Sequence, residues 1–234
     1  MSDSGLDNRL DLLNQGEVLD DLQLDNLQII QNRNLYCFTS DSVLLANFAD
    51  AKKSDFVVEF CSGSGVISIL LNAKKHPKQI VGFELDKTLC DMSNRSLDFN
   101  NIKNIQFLNS NLNNAHKVLQ KQADVLVANP PYFLIKKDEK INPKYLNAKY
   151  ETTTSLSEIF KSASKILKYS GKFYLEHTPT RIQEVLSEAQ KNNFVLKKIQ
   201  FVYPKGKTKT ARLVLMMFSK FGNSGCDVLE PIYD

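Results

Sequence analysis

The chain has 234 residues, 42% of them apolar and 24% charged, with a formal net charge of +4; this is the composition of a soluble globular protein long enough to bury a sizeable core. No run approaches the ~18 consecutive apolar residues of a membrane span, and Met1 to Leu10 lacks the pattern of a secretory leader, so a cytoplasmic location is expected. Four cysteines (Cys37, Cys61, Cys90, Cys226) and three histidines (His76, His116, His177) are dispersed without ligand spacing, which argues against a zinc site or a disulfide framework.

In chain order, Val18 to Leu24 and Leu27 to Gln31 pattern as a small hairpin, and Asp41 to Phe48 as a helix capped by Ser40 or Asp41. Strands then alternate with helices: strand 55–60, helix 65–74, strand 79–84, helix 87–99, strand 105–108, helix 113–121, strand 124–128, helix 155–168, strand 171–177 and helix 180–191. The alternation predicts an α/β fold with a doubly wound, mainly parallel sheet covered on both faces. Two long apolar strands, near 194–203 and 211–219, close the chain. Only a Lys-rich loop separates them, so they must pair antiparallel. The whole reads as one domain over residues 1–234, with 1–50 an N-terminal extension holding the hairpin and a capping helix.

Two places in this pattern carry chemistry. The first is the strand Phe56 to Phe60, which runs into Cys61-Ser62-Gly63-Ser64-Gly65 and then the apolar run Val66 to Leu71. Strand, glycine turn and helix form the first crossover of a doubly wound sheet, where ligands bind beyond the strand carboxyl ends. A lone Gly-x-Gly is more often a plain turn. The next strand ends in Glu84, about 20 residues on, where an acid can accept both hydroxyls of a ribose; Asp86 nearby suits the N-cap of the following helix. A dinucleotide site is disfavoured, because Ser68 stands where a third glycine belongs.

The second is Asn129-Pro130-Pro131-Tyr132, directly after the apolar run Asp124 to Ala128. Pro-Pro is also an ordinary way to end a strand. Here, however, the tetrapeptide can surround one planar amine. The exocyclic amine of adenine is a poor nucleophile because its lone pair is delocalised into the ring. Two oriented acceptors, the Asn129 side-chain oxygen and the Pro130 carbonyl, can draw its N–H bonds toward sp3 geometry and aim the lone pair at a methyl donor. Tyr132 would stack on the base.

Charge is distributed unevenly. Residues 1–50 carry nine acids and two bases, a net of −7, whereas residues 190–220 carry eight bases and no acid, a net of +8. The densest part holds Lys205, Lys207, Lys209 and Arg212, and a cluster of this kind is an electrostatic footprint for a phosphate backbone. A solvated face with protective edge lysines is the plainer alternative. The stretch 133–152, with Lys136, Lys137 and Lys140, is long for a loop in a compact domain and lies beside the target amine. It is expected to order on a nucleic-acid substrate.

With the cofactor acid first and the amine motif last, the order of motifs resembles the class I S-adenosylmethionine-dependent amino-methyltransferases, whose open parallel sheet ends in an antiparallel hairpin. The segment Gln31 to Ala46, containing Phe38-Thr39-Ser40-Asp41, narrows the resemblance to the bacterial valine-tRNA adenine N6-methyltransferases, which modify the adenine 3′ of the anticodon. The likeness runs on through Glu59 to Gly65, Gly82 to Glu84, Asp124 to Phe133, Gly171 to Tyr174 and the basic hairpin.

This resemblance implies S-adenosylmethionine as cofactor, tRNA as substrate, N6-methyladenosine as product and no metal; the sequence leaves open whether the protein is a monomer or a weak homodimer. It places Phe38, Thr39 and Asp41 near the methionine end of the cofactor. Glu59, Gly63 and Gly65 would form the turn beneath it, with Glu84 on the ribose, Asn111 at the adenine and Asn129 between cofactor and amine. Two residues depart from the pattern. Cys61 stands where Gly is usual and is expected to narrow the turn, and Asn111 replaces Asp, though an amide can still accept from and donate to an adenine.

Three other functions use parts of the same pattern. A release-factor glutamine methyltransferase meets a similar planar NH2, but the residues before the first sheet strand look too short for the usual helical domain. Methylation of ribosomal RNA or DNA is a second alternative. A non-catalytic RNA-binding protein on a degenerate methyltransferase fold is a third.

Overall fold

The computed structural model describes residues 11–135, 146, 150–206 and 210–234. The chain opens with an antiparallel hairpin of β1 (Glu17–Asp21) and β2 (Gln28–Asn32), followed by helix α1 (Ser40–Phe48). Next come β3 (Phe56–Phe60), α2 (Val66–Lys75), β4 (Gln79–Glu84), α3 (Lys87–Phe99) and β5 (Ile105–Asn109). A one-turn helix α4 (Ala115–Val118) leads to β6 (Ala123–Ala128). After it lie α5 (Leu156–Ile166), β7 (Leu167–His177), α6 (Ile182–Lys191), β8 (Phe194–Tyr203), β9 (Leu213–Lys220) and the short β10 (Asp227–Val228) and β11 (Ile232–Tyr233).

The main sheet has the order β10-β8-β9-β7-β6-β3-β4-β5, with β11 also paired to β8. From β7 to β5 the neighbours are parallel, while β9 runs antiparallel to both β7 and β8. The walk reverses between β3 and β6, which are adjacent in space but far apart in sequence. A crevice therefore opens beyond their carboxyl ends, the place where doubly wound sheets bind ligands.

Burial explains the layers. Every residue of β3 is buried, as expected for a central parallel strand covered on both faces. One face packs against α1, α2 and α3 through residues such as Leu45, Ile69, Leu70 and Leu97. The other packs against α4, α5 and α6 around an aromatic group in which Phe160 meets Phe173, Phe194 and Phe218 edge-on, with centroids 5.3, 5.7 and 5.6 Å apart. Each of these buried rings contributes roughly 1.5–3 kcal/mol. α5 is set by a capping box between Ser155 and Glu158.

Three expectations change. The helix foreseen at 113–121 is a 3-10 turn over Leu112–Asn114 followed by α4 alone. Asn111 caps the turn, and the Asn113 side chain is spent on Glu158 and Ser162 of α5. The N-cap of α1 is Thr39, not Ser40 or Asp41, because the Ser40 hydroxyl donates to Asp234 and the Asp41 carboxylate pairs with Arg212. β10 and β11 were not foreseen; two residues each are too short to show a period, and the edge of β8 holds them.

Candidate active site

The turn after β3 needs three left-handed residues within five positions: Cys61 at φ 57°, Gly63 at 53° and Gly65 at 82°. Gly65 has no substitute, since a Cβ there would come within 2.4 Å of the Phe107 ring. A Cβ at Gly82 on β4 would strike the same ring at the same distance. Both glycines thus seat Phe107 beneath the turn. Gly63 meets nothing within 4 Å and faces the cavity.

Two carboxylates fix this side. Glu84 accepts from the Gly63 amide at 2.7 Å through one oxygen and from the Asp86 amide at 2.8 Å through the other. Burial raises its pKa, against the pull of those backbone donors. Each oxygen keeps a lone pair for a further donor. Glu59, near the end of β3, is fully buried; one oxygen accepts from the Ser68 amide and hydroxyl, and the other has no partner among the described residues. Burial pushes its pKa up to about 8. Asp86 caps α3, accepting from the Thr88 and Leu89 amides.

On the other side of the crevice, Asn129 leaves the end of β6 and its side-chain NH2 donates to the Ser42 hydroxyl of α1 at 3.3 Å. That bond uses one of the two N–H groups, and the amide oxygen is not the atom turned to Ser42. Pro130 and Pro131 are buried, and the Tyr132 ring lies 4.8 Å from Phe133 and 5.4 Å from His177. A cavity of about 470 Å³ joins the two sides.

Among the sequence-derived residues, Phe38, Cys61, Gly63, Glu84, Asn111, Asn129 and Pro131 line that cavity. Thr39, Asp41, Glu59, Gly65, Pro130 and Tyr132 are not among its lining residues. Gln31, fully buried, places Phe38 by accepting from its amide at 3.1 Å. The Asn111 oxygen accepts from the Asn113 amide at 2.8 Å, so one of its lone pairs is already used. Arg212 is held by Asp41 and Asp234, and an incoming phosphate there would compete with two carboxylates. Lys205 is exposed. Lys136, Lys137, Lys140, Lys207 and Lys209, and most of the 133–152 segment, lie outside the described residues. Among those described, no cluster of three or more potential metal ligands occurs, and no helix is long and apolar enough to cross a membrane.

Several site residues escaped sequence reasoning. Ser42 and Tyr36 reach the cavity from around α1, and Thr153 and Thr154 from just before α5. Glu176 and His177, the last two residues of β7, do not line the cavity; both are buried, and among the described residues neither Glu176 oxygen nor the His177 Nε2 has a partner. No local signal distinguishes these residues, because their position depends on which strands become neighbours.

The family model described as the methyltransferase small domain matches residues 37–202, a span that runs from the cavity-lining segment before α1 to the end of β8. The chain belongs to this family. It is 33% identical over 131 residues to a Methanocaldococcus jannaschii protein named as a candidate protein N5-glutamine methyltransferase, covering 56% of this chain and 63% of that one. It is 26% identical over 178 residues to the tRNA1(Val) (adenine(37)-N6)-methyltransferase of Haemophilus influenzae, covering 75% and 66%. The chain thus spans less than two thirds of either relative's own length. The crystal structure of a predicted O-methyltransferase from Agrobacterium tumefaciens superposes with a TM-score of 0.65 at 16% identity, over 82% of this chain and 86% of that one. The strand order described above is that of the class I methyltransferase fold.

Proposed function

We propose that this methyltransferase uses S-adenosylmethionine to form N6-methyladenosine in tRNA, at adenine 37 beside the anticodon of tRNA(Val). One observation carries the amino-methyl reading. Asn129 lines the cavity at the end of β6 with one N–H donated to Ser42, which turns the NH2 toward α1 and leaves the oxygen to accept from an incoming amine. The buried Glu59 oxygen without a partner, the doubly anchored Glu84 and the open side of Gly63 fit the cofactor. Glu84 would take the ribose hydroxyls, Asn111 the adenine, and Phe38 with the Gly63 turn the methionine end. Bound there, the cofactor would supply a methyl group on a sulfonium, from which a neutral thioether departs as the S–CH3 bond breaks.

The chain's own residues then have to orient and desolvate the amine. The Asn129 oxygen and the Pro130 carbonyl accept its two N–H bonds, which localises the lone pair, and Tyr132 holds the ring plane. An adenine in an anticodon loop costs less to unstack than one in a duplex. The cationic segment around Lys205 would hold the tRNA backbone, with binding that weakens steeply as salt rises. Support for tRNA over other acceptors comes from the Phe38-Thr39-Ser40-Asp41 segment and from the greater share of the chain aligned with the Haemophilus relative.

The higher identity to the Methanocaldococcus protein favours a second reading, glutamine methylation in a protein acceptor. Labelled methyl transfer to unmodified tRNA, with release factor in a parallel reaction and mass analysis of nucleosides, separates the two. N6-methyladenosine in the tRNA is the expected result. Label confined to the protein acceptor moves the assignment to glutamine, and label in neither refutes both.

A further inference from the structure

The chain leaves the end of β6 at Tyr132 and returns to it at Tyr150 and Glu151, where Phe133 bridges Tyr150 and the Glu151 amide donates to the Phe133 carbonyl at 2.9 Å. One guanidinium fastens this neck. Arg181, at the start of α6, donates through Nη1 to the Tyr132 carbonyl at 2.8 Å and to the Glu151 carboxylate at 2.7 Å, and through Nε to Glu184 at 2.8 Å. The Arg181 and Glu151 side chains are only 11% and 10% exposed, so this pair is shielded, unlike an ordinary surface ion pair.

The residue type matters. A guanidinium presents five donors in a rigid plane and can serve a carbonyl and two carboxylates at once, whereas an ammonium is a point donor on a flexible stem. Glu184 alone would explain an arginine on an exposed helix start. The bond to Tyr132, 49 positions away, has no such local explanation. Its effect is to fix the Tyr132 peptide plane while Phe133 and His177 flank the ring.

We propose that Arg181 is a positioning residue for the transfer: by gripping the Tyr132 carbonyl and Glu151 together, it sets the pose of the ring proposed to stack on the acceptor. The proposal rests on the amino-methyl reading above. It concerns a residue that touches neither cofactor nor acceptor and acts through Tyr132.

The test compares Arg181→Lys, Arg181→Ala and Glu151→Gln in the full chain, with tRNA and release factor both offered as acceptors. A small misplacement of a stacking group costs about 10²-fold in turnover. Arg181→Lys is expected to lose that much in kcat with the KM for S-adenosylmethionine and its calorimetric affinity unchanged, Glu151→Gln to lose less, and added guanidinium to restore part of the Arg181→Ala activity. Hydrogen exchange at the Glu151 amide should speed up about tenfold in all three variants, with the amides of β6 unaffected. Wild-type kcat in Arg181→Lys overturns the proposal, as does a loss shared equally by kcat and cofactor affinity. If the wild-type protein methylates neither acceptor, the transfer reading has failed, and the exchange rates alone then decide whether Arg181 holds the neck.

Discussion

Glu84 and Glu176 both stand at the carboxyl ends of parallel strands, β4 and β7, and burial raises the pKa of each. Their surroundings differ. Both Glu84 oxygens accept from backbone amides at 2.7 and 2.8 Å, and the turn that supplies one of those amides is part of the same βαβ unit. Among the described residues Glu176 has no partner for either oxygen, and the Asp41 charge on α1 opposes its ionisation further. Backbone geometry completes the proposed cofactor side of the crevice, whereas the proposed amine side draws on side chains distant in sequence, Ser42 of α1 on Asn129 and Arg181 on Tyr132. Buried polar groups without partners are uncommon and tend to mark functional sites. The two halves should therefore fail in different ways when altered.

The largest effect is expected on the amine side. Asn129→Ala removes the oriented acceptor, and turnover should fall by about 10²–10³-fold, the scale seen when one preorganised hydrogen-bonding group is lost. Cofactor affinity should hardly change. A variant with near-normal turnover would remove Asn129 from its role and leave the Ser42 contact as packing only.

The next effect belongs to the cofactor side. Glu84→Ala removes a charged acceptor and releases the Gly63 amide that it holds. A hydrogen bond to a charged group is worth about 1.5–3 kcal/mol, so calorimetry should show S-adenosylmethionine binding weakened by roughly one to two orders of magnitude. Turnover at saturating cofactor should fall much less. If kcat and affinity fall together, the division into two halves is wrong.

The same division explains what could be read from the sequence. β3, the glycine turn, α2, β4 and Glu84 are contiguous, so local patterning and one turn geometry describe them. The Asn129 to Tyr132 motif is equally local. Ser42 lies 87 positions from the Asn129 that it orients, and Arg181 lies 49 from Tyr132. Periodicity carries no information about such meetings. Arg212 shows the converse limit: a charge cluster suggested a phosphate contact, but α1 and the final strand bring Asp41 and Asp234 onto it. The Lys-rich run sets the net charge of its region without stating which cations are already paired.

A third prediction concerns pH. Burial raises Glu59 from its ordinary 4.5 to about 8 and lowers His177 from 6.5 to about 4. For Glu59 the folded state holds its proton more tightly, so the stability it contributes is complete below pH 4.5 and is lost as pH rises toward 8. His177 has the opposite sign: its contribution is complete above pH 6.5 and is lost as pH falls toward 4. The two oppose each other at intermediate pH; from 6.5 to 8 the Glu59 carboxylate remains active, and Glu176, whose pKa burial also raises, acts in the same direction. In that upper window wild-type unfolding free energy should fall by up to about 1.4 kcal/mol per pH unit for the one group. Glu59→Gln, which keeps an oxygen for Ser68, should reduce the slope by the share of Glu59 and leave that of Glu176. Denaturant titrations across the window check it, and an unchanged slope would mean that Glu59 ionises in the folded protein near its ordinary value.

The smallest effect isolates the backbone of the turn. Cys61 adopts φ 57°, a conformation in which a Cβ crowds the neighbouring carbonyl at a cost of about 1–2 kcal/mol. Its side chain also packs against the core and lines the cavity, so a single replacement mixes two effects. Comparing Cys61→Gly with Cys61→Ala separates them, because both lose the thiol and only alanine keeps the Cβ. At an ordinary position alanine is the more stabilising of the two, since glycine gives the unfolded chain more freedom. Here the order should invert, with glycine more stable by about 1 kcal/mol. Thermal unfolding of the two variants measures the difference directly. Alanine at or above glycine would show that the turn relaxes away from the left-handed geometry. The expectation that Cys61 narrows the turn would then lose its physical basis, and the departure from the glycine usual at this position would be neutral for the cofactor.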